Sequence, residues 1–168
     1  MELIGQLAVA YPNRFAGLKD SSGSLDFGQE IGQRFSDRLS IFTGNDRLLS
    51  LAMSWGAAGA ITALANIISP TLRAVWESVR IGSPAPGAQA RLDRAREISD
   101  RYSPAAGLLK AILHFSLGFP EWSTRLPLHL PSQAAAAEAL GEFRRAGLPD
   151  SAAGVPSLGD QEARPPLA

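Results

Sequence analysis

Apolar positions change their spacing several times along the chain, and each change predicts an element. Leu3, Ile4, Leu7 and Ala8 recur at helical intervals and Pro12 closes the run, which predicts a helix over residues 2–10. Phe15-Ala16-Gly17-Leu18 reads as a short buried strand ending at Lys19. Ser24 is an N-cap for a helix reaching about Phe35, with Leu25, Phe27, Gly28, Ile31 and Phe35 on or near one face. Leu39–Thr43 predicts a second strand, turned by Gly44-Asn45. Asp46 or Asn45 then caps a helix from Arg47 to Trp55, which Gly56 ends. Gly59-Ala60-Ile61-Thr62 is a third, short strand. The alternation of strand and helix is that of right-handed βαβ units in a parallel sheet.

Beyond this point helices dominate. Ser69-Pro70 reads as an N-cap followed by proline at the first helical position, starting a helix to about Ile81. Residues 82–87 form a loop, and helices follow over about Ala88–Arg101 and Pro104–Leu117, the second closed by Gly118. Pro127 and Pro131 mark an extended connection. Ser132 caps a last alanine-rich helix to about Ala146, with Gly147 at its C-terminus. From about Pro149 no apolar period survives, and a disordered tail is expected. The expected division is residues 1–68 as βα units, 69–147 as helices and 148–168 as the tail. Three parallel strands cannot close a barrel, and the first helix has no strand before it, so the pattern reads as the later part of a larger α/β architecture.

Composition narrows the function classes. Of 168 residues 45% are hydrophobic and 19% charged, the balance of a globular chain with a sizeable core. Zero formal net charge and the lack of a basic block argue against nucleic acid or an anionic membrane as partner. The N-terminus lacks a basic region before its apolar stretch and no run approaches a membrane span, which makes the cytoplasm the expected compartment. There is no cysteine to form disulfides or thiolate metal sites. The two lysines, Lys19 and Lys110, stand against 14 arginines. A lysine at a strand end can do what arginine cannot, which is to lose its proton and attack a carbonyl. The plainer alternative is a surface lysine leaving a strand end.

The segment Gly17-Leu18-Lys19-Asp20-Ser21-Ser22-Gly23 resembles the lysine motif of the dihydrodipicolinate synthase and N-acetylneuraminate lyase family, class I aldolases and lyases on a (β/α)₈ TIM barrel. Phe42-Thr43-Gly44-Asn45-Asp46 is similar to that family's glycine turn after the seventh strand. Gly56–Thr62 followed by Ala65-Asn66 resembles its short eighth strand and the asparagine beyond. The Gly107–Gly118 segment with Lys110, and Leu126-Pro127-Leu128, fit its C-terminal helices. The resemblance runs over about residues 3–147. It implies a partial TIM barrel, strands six to eight, with a C-terminal helical extension, the chain being a truncated or split form.

The resemblance implies a Schiff-base lyase or aldolase in which Lys19 condenses with pyruvate or a pyruvate-yielding 2-keto acid, without a cofactor or metal. That chemistry needs a neutral amine, and apolar burial by Phe15, Ala16 and Leu18 is expected to favour one. Strand alternation places Asp20 on the face opposite Lys19. Gly44 and Ile61 match substrate-binding positions that act through backbone groups; the plainer readings are turn glycine and core isoleucine. Sialate-cleaving members carry an acidic pair where this chain has Asp46-Arg47, and a serine where it has Ala63, which disfavours that substrate. The family's glycine-threonine-threonine-glycine segment and its proton-relaying tyrosine, which belong to earlier strands, have no match here. Tyr11 and Tyr102 fall at the wrong positions to replace the tyrosine.

Such a chain alone is expected to be impaired, and its partners are expected to be a 2-keto acid and either further copies or a complementing barrel half. Two other readings stay open: a non-catalytic barrel remnant that binds a full-length homologue, or a binding module for a small phosphate ligand at Gly56-x-x-Gly59 and the nearby helix starts. His114 and His129 are not at metal-ligand spacing, and Ser21 and Ser22 have no adjacent histidine.

Overall fold

The computed structural model describes residues 1–148; the expected tail from 149 lies outside them. The first helix, α1 (Glu2–Ala10), leads into strand β1 (Gly17–Asp20), α2 (Leu25–Phe35) and β2 (Ser40–Thr43). A 3-10 turn (Asp46–Leu48), α3 (Leu49–Ser54) and β3 (Gly59–Ala60) complete the strand-bearing part. Four helices follow: α4 (Ala65–Arg80), α5 (Pro86–Arg101), α6 (Ala105–Leu117) and α7 (Gln133–Arg145). Among the described residues no helix is long and apolar enough to cross a membrane.

The sheet is parallel, in the order β1-β2-β3, with Lys19 opposite Phe42 and Phe42 opposite Gly59. Ile41 and Thr43 of β2 are 4% and 5% exposed and face the helices. Ile31 and Phe35 of α2 pack there with Leu39, Ile41 and the partly buried Leu18 and Phe15. Ser24 caps α2 as expected, its Oγ accepting the Phe27 N–H at 3.2 Å. Gly32 lets α2 lie against the end of α3, because a Cβ there would run into the Trp55 carbonyl. A second, larger core joins Leu49 and Leu64 to the apolar faces of α4 to α7, including Leu92, Leu108 and Phe143.

Three boundaries differ from the sequence reading. Strand β1 begins at Gly17 rather than Phe15 and runs to Asp20, which leaves Lys19 at the C-terminal end of the strand, as the sequence places it. The third strand stops at Ala60. Helix α4 starts at Ala65, breaks at Ile68, where φ is −134° and ψ 25°, and resumes through Ser69-Pro70. Proline lacks an N–H and disfavours helical backbone just before it, so the expected start reappears as a kink.

Parallel sheets are ordinarily covered on both faces. Here helices cover one. The other face, bearing Lys19 and Phe42, and the outer edge of β1 have no strand or helix against them among the described residues. Beside β3, by contrast, the Trp76 ring of α4 lies against Gly59 and donates its Nε1–H to the Ala58 carbonyl at 2.8 Å.

Candidate functional site

The run Lys19–Ser24 is a connector from strand to helix, and its side chains divide the work. Asp20 Oδ1 accepts the Ser22 N–H at 2.8 Å, Ser22 Oγ accepts the Ser24 N–H at 3.1 Å, and Ser24 caps the helix. Gly23 takes φ +70°, a left-handed conformation that glycine adopts at little cost. Asp20 is thus turned into the connector and away from Lys19. The Lys19 amine forms no hydrogen bond or ion pair with another described residue. It is the one charged group in the run that the connector does not use.

Lys19 lies exposed on the open face of the sheet. The expected apolar enclosure is not supplied by its neighbours: alternation turns Leu18 to the helix-facing side, where Phe15 also packs. Instead a depression of about 470 Å³ opens along Gly17, Lys19, Ser40, Phe42 and Ile61. Ile61 is 50% exposed, so the core-isoleucine reading fails, and its N–H is held by the Thr43 carbonyl at 2.9 Å. A backbone contact from Ile61 to a ligand would therefore use its carbonyl and not its N–H.

Gly44 is shaped around the lysine. Its N–H donates to the Asp20 carbonyl at 2.6 Å, stitching the turn after β2 to the end of β1. A Cβ at this position would lie 2.9 Å from Lys19 Cε and would collide with Ser21 Oγ. Gly44→Ala must therefore displace the lysine or lift the turn. The expected loss of stability is about 1–3 kcal/mol, read from urea denaturation midpoints; an unchanged midpoint would show that the contact yields freely.

Asn45, not Asp46, caps the 3-10 turn, its Oδ1 accepting the Arg47 N–H at 3.1 Å. Asp46 is 1% exposed, and neither carboxylate oxygen has a hydrogen-bond partner. Arg96 of α5 approaches its Oδ2 to 3.8 Å. Burial pushes the Asp46 carboxyl above its ordinary value; the Thr62 hydroxyl nearby, itself without a well-formed hydrogen bond, and Arg96 oppose the rise. A carboxyl raised in the folded state binds its proton more tightly there than in the unfolded chain. Its contribution to stability is present below the unfolded value of about 3.8 and is lost as pH rises through the folded value. In Asp46→Asn that slope is absent, so the variant should gain on the wild type between about pH 4 and neutrality. Urea midpoints at both ends test this; a deficit that grows with pH would mean that the Arg96 pairing outweighs burial.

The remaining candidates lie elsewhere. Tyr11 ends α1 and is exposed. The Tyr102 hydroxyl donates to Glu142 at 2.7 Å, which raises its pKa and lowers that of Glu142. On α6, His114 Nδ1 is 2.8 Å from the Phe119 carbonyl just beyond the helix, and Lys110 Nζ donates to the Ser123 carbonyl. Gly56, at φ +96°, closes against Ser36, where a Cβ would meet Oγ at 2.5 Å, and so serves packing. Sequence reasoning missed Gln89 and Arg96, because nothing in a helix some 40 residues downstream marks which turn it will touch.

A parallel βα sheet with a free lysine amine on its inner face and a glycine turn moulded over that lysine defines the class. The chain belongs to the dihydrodipicolinate synthetase family, whose model matches residues 1–140. It is 38% identical over 126 residues to an uncharacterized DapA-like lyase of Chloroflexus aurantiacus, covering 75% of this chain and 42% of that protein. It is 31% identical over 150 residues to the 4-hydroxy-tetrahydrodipicolinate synthase of Sorangium cellulosum, covering 86% and 47%. The solved dihydrodipicolinate synthase of Cyanidioschyzon merolae superposes with a TM-score of 0.76 at 28% identity, over 87% of this chain and 49% of that one. That of Agrobacterium tumefaciens gives 0.73 at 27%, over 86% and 47%. The chain spans about half the length of these relatives.

Proposed function

We propose that Lys19 is the nucleophile of a class I lyase or aldolase acting on pyruvate or a 2-keto acid that yields it, and that turnover requires a closed barrel. The observation that carries this reading is the Lys19 amine itself, unbonded at the end of β1 where the other polar groups of the following connector are nearly all engaged, beside a turn whose Gly44 leaves room for the lysine side chain. The family supports it, as do relatives named as synthases and lyases.

The neutral Nζ adds to the ketone carbon, and the carbonyl π pair moves to oxygen. One proton passes from the nitrogen to that oxygen and a second is taken from solvent. Loss of water, driven by the nitrogen lone pair, then leaves a C=N⁺ bond that accepts electrons from the neighbouring carbon. Gly44 and Ile61 flank this centre and are the proposed substrate-binding positions. The groups that hold the substrate carboxylate and relay protons are to come from the strands that complete the sheet, whether on the same polypeptide or on a complementing one.

Borohydride reduction in the presence of pyruvate, followed by peptide mapping, tests the assignment. A saturable adduct on the Lys19 peptide, well above that on the Lys110 peptide, is expected. Equal labelling of both lysines would reduce Lys19 to an ordinary surface amine, and full turnover by the purified monomer would remove the need for closure.

A further inference from the structure

The turn that presses on Lys19 is held less by its own strand than by a distant helix. Within the turn, Thr43 Oγ1 accepts the Asn45 N–H at 3.1 Å and Asn45 Oδ1 receives Arg47 N–H. The Thr62 hydroxyl lies near Asp46, and further side-chain contacts come from α5. One Gln89 Nε2 proton is shared between the Asp46 and Arg47 carbonyls, each at 3.3 Å, the other going to Asp93. The same amide is oriented from both ends: Asp93 Oδ1 accepts from Nε2 at 3.0 Å, and Oε1 accepts from Ser50 Oγ at 2.7 Å. About two turns beyond Gln89 on α5, Arg96 stands 3.8 Å from the buried Asp46 and is braced by Asp100 at 2.7 Å. Asp100 also pairs with Arg47 at 3.6 Å.

We infer that α5 is a positioning element for the reacting lysine, with Gln89 and Arg96 fixing the height of the Gly44–Asp46 turn over Lys19. This rests on the reading of Lys19 as nucleophile. Three features favour positioning over simple adhesion. First, the contacts are directional: an amide that bonds two successive carbonyls fixes the turn's orientation as well as its distance. Second, Asp46 is buried without a hydrogen bond to either oxygen, an arrangement that adds little stability and that an apolar side chain would improve on. Third, the turn sits beside the lysine: a Cβ on Gly44 would stand 2.9 Å from Lys19 Cε, so only the missing side chain separates the two, and a shift of the turn away from β1 breaks the Gly44 N–H bond to the Asp20 carbonyl. Small misplacements of a reacting group cost rate steeply.

The test uses the full chain, with Gln89→Leu, which keeps bulk and removes both ends of the amide, and Arg96→Gln beside Arg96→Lys. Amide hydrogen exchange is measured at Gly44–Leu48 and, as an internal reference, at Leu108–Ile112 of α6. The rate of the reduced pyruvate adduct at Lys19 is followed in parallel. In Gln89→Leu the turn should exchange about tenfold faster with α6 unchanged, and the adduct rate should fall by a similar factor. Arg96→Gln should act in the same direction, and Arg96→Lys should restore part of the loss. A rise in exchange shared by α6 would mean general loosening and overturn the inference, as would faster turn exchange with an unaltered adduct rate. Should the wild type form no adduct, the proposed function fails. The exchange comparison then still decides whether α5 holds the turn, and an unchanged turn would overturn that as well.

Discussion

Lys19→Arg is expected to remove the pyruvate adduct from position 19, a loss of roughly 10³-fold or more, the scale on which deletion of a reacting group is felt. Arginine keeps the charge and most of the reach of lysine. It does not release its proton under any condition a protein tolerates, so it offers no lone pair to a ketone. The substitution therefore separates chemistry from charge. Stability should stay within about 0.5 kcal/mol of the wild type, because the Lys19 side chain is exposed and makes no bond to break. Lys19→Ala guards against crowding of the longer guanidinium under Gly44 and should lose the adduct equally. In Lys110→Arg, where the altered residue sits on α6 bonding the Ser123 carbonyl, labelling of Lys19 should persist. Adduct surviving at wild-type rate in both position-19 variants would place the reacting amine elsewhere.

The second large effect concerns what holds the helical extension together. Phe143 of α7 is 0% exposed and is among the largest fully buried side chains. It sits in the core that joins α5, α6 and α7, in the same cluster as Leu92, Ile98, Leu108 and Ile112. Phe143→Ala removes a ring from a site lined by side chains on three rigid helices, so the cavity cannot collapse fully. The expected cost is about 3–5 kcal/mol. For a chain of this size that lowers the melting temperature by on the order of 10 °C. Since α5 belongs to this core and also grips the Gly44 turn, the loss should be felt at Lys19 as faster exchange of that turn. A cost below about 1 kcal/mol would mean that α7 does not seal the bundle.

Much of the architecture was legible from local signals. Ser24 and Ser132 cap helices because a side-chain oxygen at each position satisfies a backbone N–H three residues on. Gly118 and Gly147 end helices in the left-handed conformation expected of them. The order of strands followed from the alternation of patterns, and Lys19 stood out because its chemistry is rare in this composition. The opposite faces of Lys19 and Asp20 also followed, since a strand alternates whatever surrounds it.

Other features depended on partners that no local signal names. Lys19 was expected to be buried by its sequence neighbours and is exposed, because a strand hands adjacent residues to opposite faces and the face it received is open. Ile61 was readable as core or as site, and its position past the end of β3 leaves it half exposed, outside the core. Asp46 and Asn45 were both readable as the cap; Asn45 takes that role, and Asp46 turns inward toward Arg96, 50 positions away in the chain. By itself the sequence determined the order of most helices and strands, several of their caps, and which amine stands at a strand end. Those choices are made by backbone sterics, capping and periodicity within a few residues. Only the tertiary structure decided which face carries that amine and which helix steadies the turn above it, because both are set by packing between segments far apart in the chain.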